Sequence, residues 1–169
     1  MKQKPTKAHS AQATYYQAMR FYNAAEFILK EFEKRFVDDA SAMHLYIPYI
    51  VNLAFSCELY LKCAIHCETG NEVSGHALFE LFQRLHDPTK CEIMLTAHAT
   101  PDLLKSTFNQ ELVSTSNAFH RWRYLNEDLG DGFGNPRLMA LIASNLHRMI
   151  SVRYPEWEPF YKEGVKDFR

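Results

Sequence analysis

The segment from Leu45 to Cys67 constrains the fold more than any other part of the sequence, because it is apolar along almost all of its length. It is about long enough to cross a bilayer, but it contains Glu58, Lys62 and His66, and charges near the centre of a bilayer are costly. A helix enclosed by other protein segments satisfies both facts. We therefore predict a second helix from about Pro48 to Cys67 and no transmembrane span.

Helical periodicity covers most of the remaining sequence. An apolar stripe with steps of three and four residues predicts a first helix from about Ala8 to about Val37. Further patterns predict four more segments. These are a short helix that starts at Ser74 or Gly75 and ends at Asp87-Pro88, a weaker helix over 91–97, a long helix over 100–127 and a last helix over 135–154. Since no segment alternates like a strand, we predict an all-α fold, a single bundle of about five helices over residues 1–169.

Charge and cysteine content limit the function classes. The chain has 19 Lys and Arg residues against 20 Asp and Glu residues, so any attraction to nucleic acid or anionic lipid must be local. Four cysteines without a CxxC pair, behind a lysine-rich polar start, favour a reducing compartment. We therefore expect a cytoplasmic protein without disulfides, metal or cofactor.

Helix two carries a polar line on its otherwise apolar surface. Glu58, Lys62 and His66 follow one another at four-residue spacing, which places them on one side of the helix. The line has two interpretations, an ion pair at the edge of the core or a functional site. In either case we expect helix two at the centre of the bundle, in contact with the helix that bears Trp122, and Glu58 largely buried.

The densest polar cluster lies near the end of the long helix over 100–127. It runs from His120 through Arg121 and Arg123 to Tyr124, with Glu127 close behind. Helical spacing places His120, Arg123 and Glu127 on one strip, whereas Arg121 points elsewhere. Such a group could bind a phosphate or transfer protons, and it could equally form a structural network with Glu58 and Lys62.

Three pieces of sequence together resemble the HEPN family as it occurs in prokaryotes. They are Ala54-Phe55-Ser56-Cys57-Glu58-Leu59-Tyr60-Leu61-Lys62, then Gly75-His76-Ala77-Leu78 leading into Leu81-Phe82, then Phe119-His120-Arg121-Trp122-Arg123-Tyr124 with Glu127. The similarity spans roughly residues 45 to 128. It implies a bundle of four or five helices that commonly forms homodimers, with roles in phage defence, toxin-antitoxin pairs or RNA processing.

The sequence departs from the pattern of the family's active ribonucleases. Those enzymes have an arginine followed, after four to six intervening residues, by a histidine. Here the corresponding positions after Arg121 and Arg123 hold no histidine, and no other arginine has one at that spacing. We therefore predict a non-catalytic or degenerate HEPN-like domain that binds RNA, a nucleotide or a protein partner. Its candidate binding residues are Glu58, Lys62, His76, Arg121, Arg123 and Tyr124.

Two other functions stay open at this point. One is an active metal-independent endoribonuclease that uses Arg123 with His120 or Glu127. The other is a structural interaction module, since aromatic residues make up 14% of the chain and could recruit a partner helix or simply fill the bundle. His76 also has two interpretations, because a histidine beside Gly75 at a helix start can fix the turn by hydrogen bonding or can react.

Overall fold

The computed structural model describes residues 7–36, 40–98, 108–122 and 134–157, and within them every side chain except those of residues 7–9, 40–41, 98 and 117–122. These ranges contain six α-helices, two short 3₁₀ helices and no β-strand. The α-helices are α1 Lys7–Phe36, α2 Tyr46–Thr69, α3 Leu78–Gln83, α4 Asp87–His98, α5 Phe108–Trp122 and α6 Pro136–Arg153. The 3₁₀ helices are Ala40–Leu45 and Pro155–Trp157. The predicted all-α helical bundle is confirmed.

Helix α2 lies at the centre of the bundle. It packs against α1 along much of its length and also contacts α6, α3 and α5. Its buried residues cover several sides of the helix, with Leu53, Cys57, Tyr60 and Leu61 fully enclosed. The predicted central position, in contact with the helix that bears Trp122, is therefore confirmed.

Small side chains bring α1 and α2 close together. Ala18 and Ala25 on the predicted stripe of α1 are completely buried. Ser56 Oγ of α2 donates a hydrogen bond to the carbonyl oxygen of Ala18 at 2.9 Å, and Cys63 Sγ donates to that of Ala11 at 3.3 Å. Since side chains of α2 reach the backbone of α1, this helix pair fixes the frame on which the polar residues of α2 are held.

The ends of α2 and α6 follow the local chemistry of the sequence. Helix α2 stops at Gly70, which takes the left-handed conformation at φ 70° and donates its N–H to the carbonyl of His66 at 2.8 Å. Helix α6 starts after Asn135, whose side chain accepts from the N–H of Leu138 at 3.1 Å, with Pro136 in the first turn. Helix α2 ends two residues after the predicted Cys67, and α6 starts at the predicted position.

Two predicted boundaries between α2 and α5 are wrong. Helix α3 begins at Leu78, not at Ser74 or Gly75, because Gly75 has a φ of 105° and lies in the connecting segment before the helix. Asp87-Pro88 begins α4 instead of ending α3. A proline suits the first turn of a helix because an N–H at that position would have no intrahelical acceptor. A proline also disfavours a helical residue before it, so the sequence pattern alone fits a stop as well as a start.

One described helix passes a length and composition test for membrane spans. It covers Ala42–Thr69, and 67% of its most apolar window is buried within the protein. The buried share agrees with an enclosed core helix, the interpretation that the sequence favoured.

Candidate functional site

Glu58 is a charged side chain in the core of the bundle. Because α2 is enclosed on several sides, Glu58 is only 3% exposed, which confirms the expected burial. Its Oε1 accepts a hydrogen bond from Lys62 Nζ, one turn later on α2, at 2.8 Å. A buried carboxylate needs such a partner, since taking an unpaired charge out of water is costly. The ion pair predicted from the four-residue spacing is therefore present.

His76 reaches the same carboxylate from a different segment. After Gly70 the chain returns in a non-helical connection, and His76 Nδ1 lies 2.9 Å from Glu58 Oε1. The side chain of His76 is 53% exposed, whereas that of Glu58 is 4% exposed. Glu58, Lys62 and His76, three of the six candidate binding residues, thus lie together in what we call the Glu58 site.

The hydrogen bonds to Glu58 define the tautomer of His76. An ionised carboxylate only accepts hydrogen bonds, so Nδ1 of His76 carries a proton and donates it to Oε1. This leaves Nε2 as the acceptor of a neutral imidazole or as a second donor of the charged form. No described group lies within hydrogen-bonding distance of Nε2. The Glu58 site therefore presents an oriented imidazole that a ligand can reach.

Arg84 contacts the connection that carries His76. Its guanidinium donates to the carbonyl oxygen of Ser74 at 3.3 Å, two residues before His76 in the chain. Arg84 itself is exposed. The sequence motifs did not indicate this residue, because the contact depends on how the connection between α2 and α3 folds back over the end of α3.

Helix α5 passes close to the same region. Ser116 is buried, and its Oγ accepts from the backbone N–H of Phe79, three residues after His76, at 3.4 Å. His120 and Arg121 follow Ser116 in the last turns of α5. Their side chains lie outside the described part of the structure, as do Arg123, Tyr124 and Glu127, and their predicted roles stay predictions.

A second polar cluster forms where α1, α2 and α6 meet. The hydroxyl groups of Tyr15 and Tyr60 lie 3.1 Å and 3.0 Å from Nδ1 of His147. The Tyr15 ring also stacks on the His147 ring with centroids 5.6 Å apart. Both tyrosines are fully buried, so this cluster ties three helices together. Its partners lie far apart in sequence, and no motif predicted it.

The four cysteines are all free and differ in their surroundings. Burial raises the pKa of the Cys57 thiol. The neighbouring Cys63 thiol lowers the pKa of the half-buried Cys67 thiol, and the Tyr154 hydroxyl and the Arg153 guanidinium act in the same direction. Among the described residues, no group of three or more His, Cys, Asp or Glu side chains is arranged to hold a metal ion.

Comparisons of the chain with protein-family models, with curated proteins and with solved structures find no match. The resemblance to the HEPN family accordingly rests on the three sequence pieces described above. It stays a prediction.

Proposed function

We propose that this chain is a degenerate HEPN-like domain that binds RNA or a nucleotide through its phosphates and does not cleave it. It would act in the cytoplasm, in a defence, toxin-antitoxin or stress system, as the resemblance implies. The observation that carries the proposal is the accessible His76 imidazole, held by buried Glu58 in a connection that Arg84 also contacts.

The chemistry of the Glu58 site supports a phosphate ligand. Guanidinium and imidazolium groups donate charge-assisted hydrogen bonds to phosphate oxygens, and these are stronger than neutral ones. Glu58 orients the His76 ring, so less conformational entropy is lost when a ligand binds. The sequence adds Arg121 and Arg123 from the end of the long predicted helix. The formal charge of -1 is compatible with this proposal because the attraction is local.

Binding of a fluorescein-labelled single-stranded RNA, followed by fluorescence anisotropy, tests the proposal. We expect Arg84→Ala to raise the Kd about tenfold, since a charged hydrogen bond contributes about 1.5 kcal/mol or more. Arg20→Ala is the matched control, because Arg20 is an exposed arginine on α1 and its loss changes the net charge equally. ATP as competitor distinguishes a nucleotide ligand from RNA. Equal weakening by both variants, or no binding of either ligand at micromolar protein, contradicts the proposal.

Arg123→Ala extends the test to the predicted cluster outside the described residues. If Arg123 contacts the ligand, binding is lost while the melting temperature is unchanged, because an exposed arginine contributes little to folding. A decrease of several degrees would instead assign Arg123 to a structural network, as expected when a buried partner is left unpaired.

RNA cleavage is the second candidate function, and the hydrogen bond between Glu58 and His76 favours it. A carboxylate that orients an imidazole is a common arrangement for acid-base catalysis. The sequence offers Arg123 with His120 or Glu127 for the same reaction. We expect wild-type protein to leave RNA intact in the presence of EDTA. Reproducible cleavage that His76→Gln or His120→Ala abolishes would replace the binding proposal with an endoribonuclease.

The proposal includes a symmetric homodimer whose interface involves α5. The resemblance to the HEPN family carries this part of the proposal, and Val113 on α5, which is 39% exposed, would lie in such an interface. Sedimentation velocity at micromolar concentration should show a dimer. A monomer at all concentrations tested would leave phosphate binding possible and remove the dimer from the proposal.

A further inference from the structure

A cavity separate from the Glu58 site lies between α1, the start of α2, α5 and the start of α6. Its volume is about 440 Å³, which is in the usual range for small-molecule sites. We call it the tyrosine cavity. Its aromatic and polar lining residues are Tyr46, Tyr49, Glu33, Glu111, Asn135 and Arg137.

Tyr49 is the unusual residue of this cavity. It is only 6% exposed, and no described group lies within hydrogen-bonding distance of its hydroxyl. Buried tyrosine hydroxyls are normally paired, since an unpaired polar group loses its hydrogen bonds to water without replacement. The ring centroids of Tyr49 and Tyr46 are 6.2 Å apart, so the two rings form one aromatic wall beside an unsatisfied hydroxyl.

The electrostatics of the tyrosine cavity favour a positive charge. Burial, followed by the carboxylate of Glu26, raises the pKa of Tyr49 to about 12, and Glu33 contributes in the same direction. Glu26 and Glu33 have no ion-pair partner among the described residues. Among the described residues, Glu111 accepts only from the side-chain amide of Asn135, at 3.3 Å. Of the residues that line the cavity, Glu33 and Glu111 carry carboxylates and exposed Arg137 carries a guanidinium, while Glu26 acts on Tyr49 from outside this lining.

We propose that the tyrosine cavity binds an organic ammonium group. An ammonium ion is attracted to the faces of tyrosine rings, to carboxylates and to the oxygen of a phenol, and this cavity offers all three. A neutral apolar ligand would leave the Tyr49 hydroxyl without a described partner, and an anion would meet the carboxylates of Glu33 and Glu111. The ammonium group belongs to a free polyamine or to a lysine side chain of a protein partner. This site is independent of the proposed phosphate ligand.

Isothermal titration calorimetry of the full chain with spermidine at physiological ionic strength tests the inference. We expect one site per chain. Glu33→Gln should raise the Kd about tenfold, because it removes a negative charge from the lining of the cavity. The variant should stay folded, since the Glu33 side chain is exposed. Glu80→Gln is the matched control, since Glu80 is exposed on α3, outside this cavity, and loses the same charge. Tyr46→Leu should weaken binding about threefold or more through the lost ring face.

The same titration with Nα-acetyl-lysine methylamide distinguishes the two sources of the ammonium group. Tighter binding of spermidine identifies a free polyamine, and equal or tighter binding of the lysine derivative identifies a protein side chain. Either result supports the inference. It is overturned if neither compound binds at millimolar concentration, if Glu33→Gln and Glu80→Gln weaken binding equally, or if acetate binds more tightly than both through Arg137.

Discussion

Removal of the Tyr49 hydroxyl should cost the folded protein little at neutral pH. In Tyr49→Phe the ring that packs against Tyr46 is kept and only the oxygen is lost. Because Tyr49 is only 6% exposed and its oxygen has no described partner, folding removes part of the hydrogen bonding of this oxygen to water, and no described group replaces it. We expect the free energy of unfolding at neutral pH to be unchanged or to rise by up to about 1 kcal/mol.

The same variant should lose much less stability than wild type at alkaline pH. The pKa of Tyr49 is about 12 in the folded protein against an ordinary value of 10.0, so the unfolded chain releases this proton at lower pH. The stabilisation is therefore complete below about pH 10 and is lost as the pH rises towards 12. Two pKa units correspond to about 2.7 kcal/mol. About half of this difference has developed at pH 11, and water that enters the open cavity reduces it, so we expect about 0.5 to 1 kcal/mol at that pH.

Urea unfolding followed by far-UV circular dichroism, at several pH values from neutral to about 11, measures both effects. Tyr16→Phe is the control, because the Tyr16 hydroxyl is part-buried and accepts from Gln12 Nε2 at 3.1 Å. The difference between Tyr49→Phe and wild type should grow with pH. A loss above about 1 kcal/mol at neutral pH would reveal a favourable hydrogen bond of the hydroxyl and refute the reasoning, as would parallel pH profiles.

Three further predictions use thermal melting and thiol labelling. Glu58→Ala should destabilise the protein by about 2 kcal/mol, less than a fully buried pair would because Lys62 can reach water, and an unchanged melting temperature would contradict the ion pair. Gly70→Ala should cost about 1 kcal/mol from the left-handed backbone alone, since nothing lies within 4 Å of an added Cβ; a much larger loss would contradict that open space. Iodoacetamide should label Cys67 well before Cys57, and peptide mass spectrometry that finds Cys57 labelled first would contradict the assigned surroundings of these thiols.

The helices could be predicted because their signals are local. The stripe on α1, Gly70 at the end of α2 and Asn135-Pro136 at the start of α6 each act within a few residues. Asp87-Pro88 misled the prediction for the same reason. A proline restricts the residue before it and also suits a first helical turn, and only the packing of α4 against α6 decides between a stop and a start.

The Glu58 site could be predicted only in part. Glu58 and Lys62 are one turn apart on a single helix, so spacing was sufficient to pair them. The motif drew attention to His76, yet its contact with Glu58 depends on the path of the connection after α2. No sequence motif indicated that Arg84 contacts the connection before α3. The tyrosine cavity was missed as well, because its walls come from helices that lie far apart in sequence.

Glu58 and Tyr49 are two polar residues of the central helix that differ in whether described residues supply a hydrogen-bond partner. Glu58 is charged, and its own chain supplies Lys62 and His76 as partners, so its removal should weaken the fold. The Tyr49 hydroxyl has no described partner, so its removal should not. A buried group that has no partner among the described residues carries a free-energy cost that a bound ligand can remove. Spermidine should therefore raise the melting temperature of wild type more than that of Tyr49→Phe, and equal shifts would mean that the hydroxyl takes no part in ligand binding.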